Sequence, residues 1–201
     1  MSSSILLSAA IWLPILFGAA VLVIGRSGNA ALVRQVSIAG AVIAFLPTVA
    51  LILGFDSASS AMQYQEMSSW IPAMGINYHL GVDGLSVWFV PLTALITIFV
   101  VVAGWDVIQD RPAQYYASFL ILSGLMVGVF CALDGLLFYV FFEATLIPMY
   151  LIIGIWGGPN RVYAAFKFFL YTLLGSLLTL VAIIYLYVQS GSFAILDWHQ
   201  L

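Results

Sequence analysis

Charge is what this sequence has least of: 5 Lys and Arg and 8 Asp and Glu in 201 residues, 6% in all. The net charge of −3, with no basic patch, excludes a nucleic-acid-binding protein, because phosphate recognition needs clustered cations. Cysteine is nearly absent as well. The single Cys131 rules out an internal disulfide, and it reads as a small packing residue in an apolar stretch. No CxxC pair, Cys/His cluster or nucleotide-binding glycine loop is present, so heme, iron–sulfur, metal or dinucleotide chemistry is not expected in this chain.

What fills the chain instead is apolar, at 64% hydrophobic residues and a mean hydropathy of +1.16, a composition that belongs in a bilayer. Crossing the hydrocarbon core takes roughly 20 apolar residues as helix. Six runs qualify, predicted at Ile5–Ile24, Val33–Gly54, Gly84–Trp105, Ala113–Leu133, Gly135–Trp156 and Tyr163–Gln189. The fold class is therefore an all-α polytopic membrane protein. The first run has the length of an export signal, but it lacks a basic start and a small-x-small site before Arg26, so it is read as a span.

Basic residues set the orientation, since short loops bearing Lys and Arg stay cytoplasmic. Arg26 and Arg34 flank the first connection, Arg111 lies in the third, and Arg161 in the fifth with Lys167 just beyond. The second and fourth connections carry none, which places both chain ends outside. The long second connection, Phe55 to Val82, holds Met62, Trp70, Ile71, Met74 and Tyr78 and is expected to be an ordered segment at the outer interface rather than a seventh span. Within Gly81-Val82-Asp83-Gly84-Leu85-Ser86, Asp83 is placed to cap the third helix. His79 titrates near neutral pH when free, although a lone interfacial histidine is commonly structural.

Glu143 is the outstanding residue, alone among charges in Gly135–Trp156 at a depth where a carboxylate must be protonated, hydrated or paired. Helical spacing puts Tyr139, Ile147 and Tyr150 on its face. Pro148 cannot donate to the carbonyl of Ala144, which predicts a kink and a free acceptor beside the acid, where water can enter. The plain alternative is a buried glutamate hydrogen-bonded between helices. Lys167, placed four residues into the sixth run, either serves function or snorkels to the headgroups. At about 1.5 Å per residue Glu143 is about 20 Å from the arginine-bearing end of its helix, so a direct salt bridge to Lys167 is not expected and any link runs through water. Tyr171 shares the lysine's face, and Gly175 and Ser176 leave room for a neighbouring backbone. Asp134 is a third candidate, with capping of the fifth helix as the simpler reading.

Four stretches together resemble a known family: Leu80 to Ser86, the segment carrying Glu143 and Pro148, Trp156-Gly157-Gly158, and Ala164-Ala165-Phe166-Lys167-Phe168-Phe169-Leu170-Tyr171-Thr172. They look like the antiporter-like M subunits of respiratory complex I, over about Leu80 to Gly191, in the bacterial proton-pumping NADH:quinone oxidoreductase version. Related subunits of photosynthetic complexes and multisubunit cation/proton antiporters share the core pattern. The resemblance implies that Glu143 is the membrane glutamate of the proton path and Lys167 the lysine of the following helix. It implies a fold of roughly fourteen helices with two inverted five-helix repeats, each with a broken helix. This chain would then be the N-terminal portion, with residues 1–112 forming three flanking helices and 113–201 opening the proton-translocating domain; the broken helix bearing the lysine partner of Glu143 would lie past Leu201.

The implied activity is proton translocation coupled to electron transfer elsewhere. NADH, FMN, iron–sulfur clusters and quinone would belong to partner subunits, with other membrane subunits, including antiporter-like neighbours, as partners in a bacterial inner membrane. Two alternatives stay open: a subunit of a cation/proton antiporter, and a non-conducting membrane scaffold in which Glu143 is structural.

Overall fold

The computed structural model describes residues 5–199; the chain ends expected to face outward lie outside the described residues. Six helices are long and apolar enough to cross a membrane: α1 (Leu6–Gly25), α2 (Ala30–Leu53), α3 (Ser86–Val107), α4 (Pro112–Cys131), α5 (Gly135–Trp156) and α6 (Arg161–Ser190). A one-turn α7 (Ile195–Trp198) follows. The spans agree with the hydropathy reading to within a few residues, and α5 coincides with it. The start of α2 differs most, three residues earlier at Ala30; Arg161 opens α6, so Lys167 lies six residues in, about 9 Å from its end, rather than four.

α1 and α4 cross at the centre of the bundle. Small residues allow it: a Cβ on Gly18 would sit 2.7 Å from the Ile121 side chain, and Gly124 lies directly over the Ile11 carbonyl and the Ile15 side chain. Around this pair two apolar clusters form. One, with Leu7, Ile11, Leu51, Val87, Val127, Cys131 and Phe141, occupies the hairpin end; the other, with Val21, Val33, Val101, Tyr116 and Leu120, occupies the arginine-bearing end. Cys131 is fully buried in the first, as a packing residue should be.

The long second connection, expected to be ordered, is a β-hairpin, β1 (Gln63–Ile71) antiparallel to β2 (Ile76–Val82), closed by a 3-10 turn at Pro72–Met74. Gly75 ends that turn at φ 69°, a left-handed conformation that glycine adopts without strain. Ile76, Leu80 and Val82 point into the bundle, while Met67, Trp70 and Met74 stay exposed, as suits a segment at an interface.

Glu66 fastens the hairpin to the first span. Its carboxylate accepts from the free backbone amides of Leu7 (2.8 Å) and Ser8 (3.1 Å) and from the Ser8 hydroxyl, so an acid on β1 caps the N-terminus of α1. Tyr78 extends the clasp, its hydroxyl 3.0 Å from Ser8 Oγ and accepting from Trp12 Nε1 at 3.2 Å. Glu66→Ala should cost about 1–2 kcal/mol locally, as lost caps do. Hydrogen exchange on the full-length subunit should then show faster exchange in the first turn of α1 and in β1; protection unchanged from the parent would refute the clasp.

Candidate proton site in helix five

The junction between α4 and α5 gathers three elements. Leu133 N donates to the His79 carbonyl (2.8 Å), Gly135 N to the Phe193 carbonyl (2.8 Å) and Ile195 N to the Leu133 carbonyl (2.9 Å). Asp134, 2% exposed, sits at this crossing. Its Oδ1 accepts from Leu136 N (3.0 Å) and Leu137 N (3.1 Å), the capping of α5 read from the sequence, and its Oδ2 accepts from Asn77 N of β2 at 3.1 Å. Asp83 caps as expected too: Oδ1 accepts from Ser86 N (2.7 Å) and Leu85 N (3.2 Å), bonds that hold its carboxyl below the usual carboxylate range.

His79 lies beside this junction, 3.2 Å from Gln65 Oε1. Burial lowers its imidazole below the ordinary 6.5, with the Asp134 carboxylate opposing that shift. The unfolded hairpin therefore binds a proton more readily than the folded one, so the histidine's contribution is full above about pH 6.5 and declines as pH falls towards the lower folded value. Proteolysis of the hairpin in the assembled complex should accelerate between pH 7.5 and 5.5, and His79→Gln should flatten that profile; an identical profile in the variant would exclude His79 as the cause.

From the Asp134 cap, α5 runs unbroken through Pro148 to Trp156. Glu143 lies eight residues in, about 12 Å from the start of the helix at Gly135. The carboxylate is half-buried, and its Oε1 is fully enclosed with no hydrogen-bond partner among the described residues. Nearby hydroxyls are committed to backbone: Thr145 donates to the Phe142 carbonyl (2.6 Å) and Ser176 to the Leu173 carbonyl (2.9 Å). Tyr139, one turn earlier on the same face, is within reach of both Glu143 and Ser176 of α6. Tyr150, the other hydroxyl expected beside the acid, sets its ring edge against Phe166 and Phe169, both at 5.6 Å, and fixes α6 on α5. Ile147 is 63% exposed.

Lys167 is not brought to Glu143. The face of α6 against α5 carries Ala165 and Ser176, both buried, whereas Lys167 is exposed on the opposite side between Tyr163 and Tyr171, its Nζ 5.8 and 5.9 Å from their ring centres. Gly175 has open space beside it, as a backbone approached by another helix would need. Glu66 is the acid whose position the sequence reading did not find; only a hairpin register that puts it opposite Leu80 delivers it to α1.

Two family models cover the chain. The one described as NADH-ubiquinone oxidoreductase chain 4, amino terminus, matches residues 13–132, and the one described as NADH:quinone oxidoreductase/Mrp antiporter, TM, matches residues 132–200. NADH-quinone oxidoreductase subunit M of Rhodobacter capsulatus is 48% identical over 190 residues, 93% of this chain and 36% of that protein. A chain of respiratory complex I from Thermus thermophilus with bound NADH superposes with a TM-score of 0.81 at 32% identity, over 96% of this chain and 38% of that one. A chain of the Mrp complex from Dietzia sp. DQ12-45-1b gives 0.78 at 20% identity over 94% of this chain and 20% of that one, a likeness of fold alone. The chain thus spans about a third of the length of the curated relatives it matches. With both halves matched in sequence and all six spans matched in structure, the chain belongs to the family of NADH-ubiquinone oxidoreductase chain 4, the M subunits.

Proposed function

We propose that this chain is the N-terminal third of a proton-translocating membrane subunit of NADH:quinone oxidoreductase, and that Glu143 is the group in it that takes up and releases the proton. What supports the reading most is the enclosed Oε1 of Glu143, which has no hydrogen-bond partner among the described residues, with the Tyr139 side chain beside the carboxylate. A glutamate serving as glue between helices is spent on partners; this one is left available. The mechanism is charge-coupled. A cation brought near the site favours the ionised carboxylate, and its withdrawal in a dry setting favours the protonated one. Tyr139 is the adjacent hydroxyl that orients water at the acid. Lys167 faces outward from this third of the fold, so its part is to meet an element of the remaining chain and to join Glu143 only through a hydrated path.

The division into flanking helices (1–112) and the start of the conducting domain (113–201) is part of the same reading, as is a bacterial inner-membrane location with the arginine-bearing end in the cytoplasm. The oxidoreductase label applies to the complex, whose other subunits would hold NADH, FMN, iron–sulfur clusters and quinone. The antiporter alternative differs in one observable, because there the acid exchanges its proton against a cation. NADH-driven proton uptake by inverted vesicles carrying the full-length subunit should be unchanged when sodium is replaced by potassium or choline. Uptake that requires sodium would move the assignment to cation/proton exchange.

A further inference from the structure

At the arginine-bearing end the helices border two adjacent open cavities of different character. The outer one, about 650 Å³, is bordered by Arg26, Asn29, Gln109, Arg111 and Gln114. The inner one, about 320 Å³, is walled by Ala117, Ile121, Pro148, Leu151 and Ile155. Leu22 and Gln114 line both, so the two lie side by side. Gln114 and Ile121 are seven residues apart on α4, so the apolar groove extends about 10 Å from the polar chamber towards the middle of the bilayer.

The local backbone explains the chamber. Gly25 leaves no side chain where a Cβ would overlap the methyl of Ala113, so the end of α1 comes directly onto the first turn of α4. Arg26 follows α1 and Arg111 precedes α4, and the contact carries both guanidiniums to the rim. Arg34 reaches in from α2 to Gln109 Oε1 at 3.1 Å. Acidic groups at this end are few. Asp110 lies 4.0 Å from Arg111 Nε with both side chains largely exposed, where such a pair is weak, and Arg26 has no ion pair among the described residues.

We propose that these cavities are one binding site for an anionic phospholipid, with the phosphate on Arg26 and Arg111 and an acyl chain in the groove along Ile121 and Leu151. The chamber has the charge for a phosphate, the groove is walled mainly by apolar side chains with Gln114 and Ser118 at its chamber end, and the two adjoin along α4 at the depth where headgroup gives way to chain. The site adjoins Pro148, one turn from Glu143 on α5, but its existence does not depend on the function proposed for that acid.

The test uses the intact complex with the full-length subunit and phosphatidylglycerol bearing a photoactivatable diazirine on one acyl chain. Label should appear in peptides 113–121 and 147–155, and the corresponding phosphatidylcholine should label them weakly. R26Q/R111Q should reduce labelling by roughly thirtyfold, since each basic side chain near a membrane surface contributes about fivefold. Leu151→Trp, on a partly exposed side chain, should block the groove and abolish label with the arginines intact, which keeps the test decisive if the double variant does not assemble. Equal labelling by the two lipids, labelling indifferent to both variants, or absence of label at these peptides would overturn the proposal. Competition by inorganic phosphate would also overturn it, because the site would then hold a small anion rather than a lipid.

Discussion

Glu143→Gln in the full-length subunit should leave the complex assembled, as seen on a native gel, while proton flux through this subunit drops by about a hundredfold or more, in line with loss of a positioned acid–base group. Glutamine keeps the shape of the side chain but carries no titrating proton. The effect on folding should be small because Oε1 has no hydrogen-bond partner among the described residues to lose. Glu143→Asp, which keeps the acid on a shorter arm, should retain part of the flux. The measurement is NADH-driven proton uptake by inverted vesicles, normalised to assembled complex. Full uptake in the glutamine variant would eliminate the relay, and failure to assemble would instead favour the scaffold reading. Tyr139 lies beside the acid on the same face, so a smaller loss in Tyr139→Phe, with assembly normal, would fit its proposed role in orienting water.

The second large effect should appear at the other acid of α5 and should have the opposite character. Asp134→Ala removes the acceptor from three backbone amides at a position 2% exposed, two in the first turn of α5 and one on β2. Losing a buried charged acceptor together with a helix cap costs about 2–4 kcal/mol. That is a large share of the stability of a typical domain, so assembled complex should fall sharply. Asp134→Asn keeps an oxygen for Leu136 N and Leu137 N but turns an amide towards Asn77 N, so it should loosen the hairpin while preserving the cap. Its uptake per assembled complex should match the parent. Normal assembly with uptake lost in Asp134→Asn would make Asp134 a proton carrier rather than the structural junction its contacts describe.

The two acids differ in how far the sequence alone could take them. Asp134 precedes an apolar run by one residue, and that position is sufficient to expect a cap. Its bond to Asn77 spans 57 residues and depends on a hairpin whose strands carry no strong alternation, so no local pattern announces it. Glu66 was equally hidden. Its value lies in the free amides of Leu7 and Ser8, and proximity to them follows only from docking β2 against α4 and α5. Lys167 shows the reverse case: hydropathy and spacing place it on a helix, but the side it presents is decided by Tyr150, whose ring against Phe166 and Phe169 rotates the lysine away from Glu143.

The sequence by itself determined the six spans, their alternating direction, and Glu143 as an acid in apolar surroundings. These follow from the transfer free energy of side chains and of the unpaired backbone into hydrocarbon, which depends on composition along the chain and not on neighbours. The tertiary structure alone decided that the long second connection is a hairpin clasping α1, that Asp134 joins three elements, that Glu143 has an enclosed oxygen without a hydrogen-bond partner among the described residues, and that Arg26 and Arg111 share a chamber beside a mainly apolar groove. Each of those depends on which helix faces touch. In this chain that is set by close approaches such as Gly18 and Gly124 between α1 and α4, where small residues permit a contact without specifying the partner.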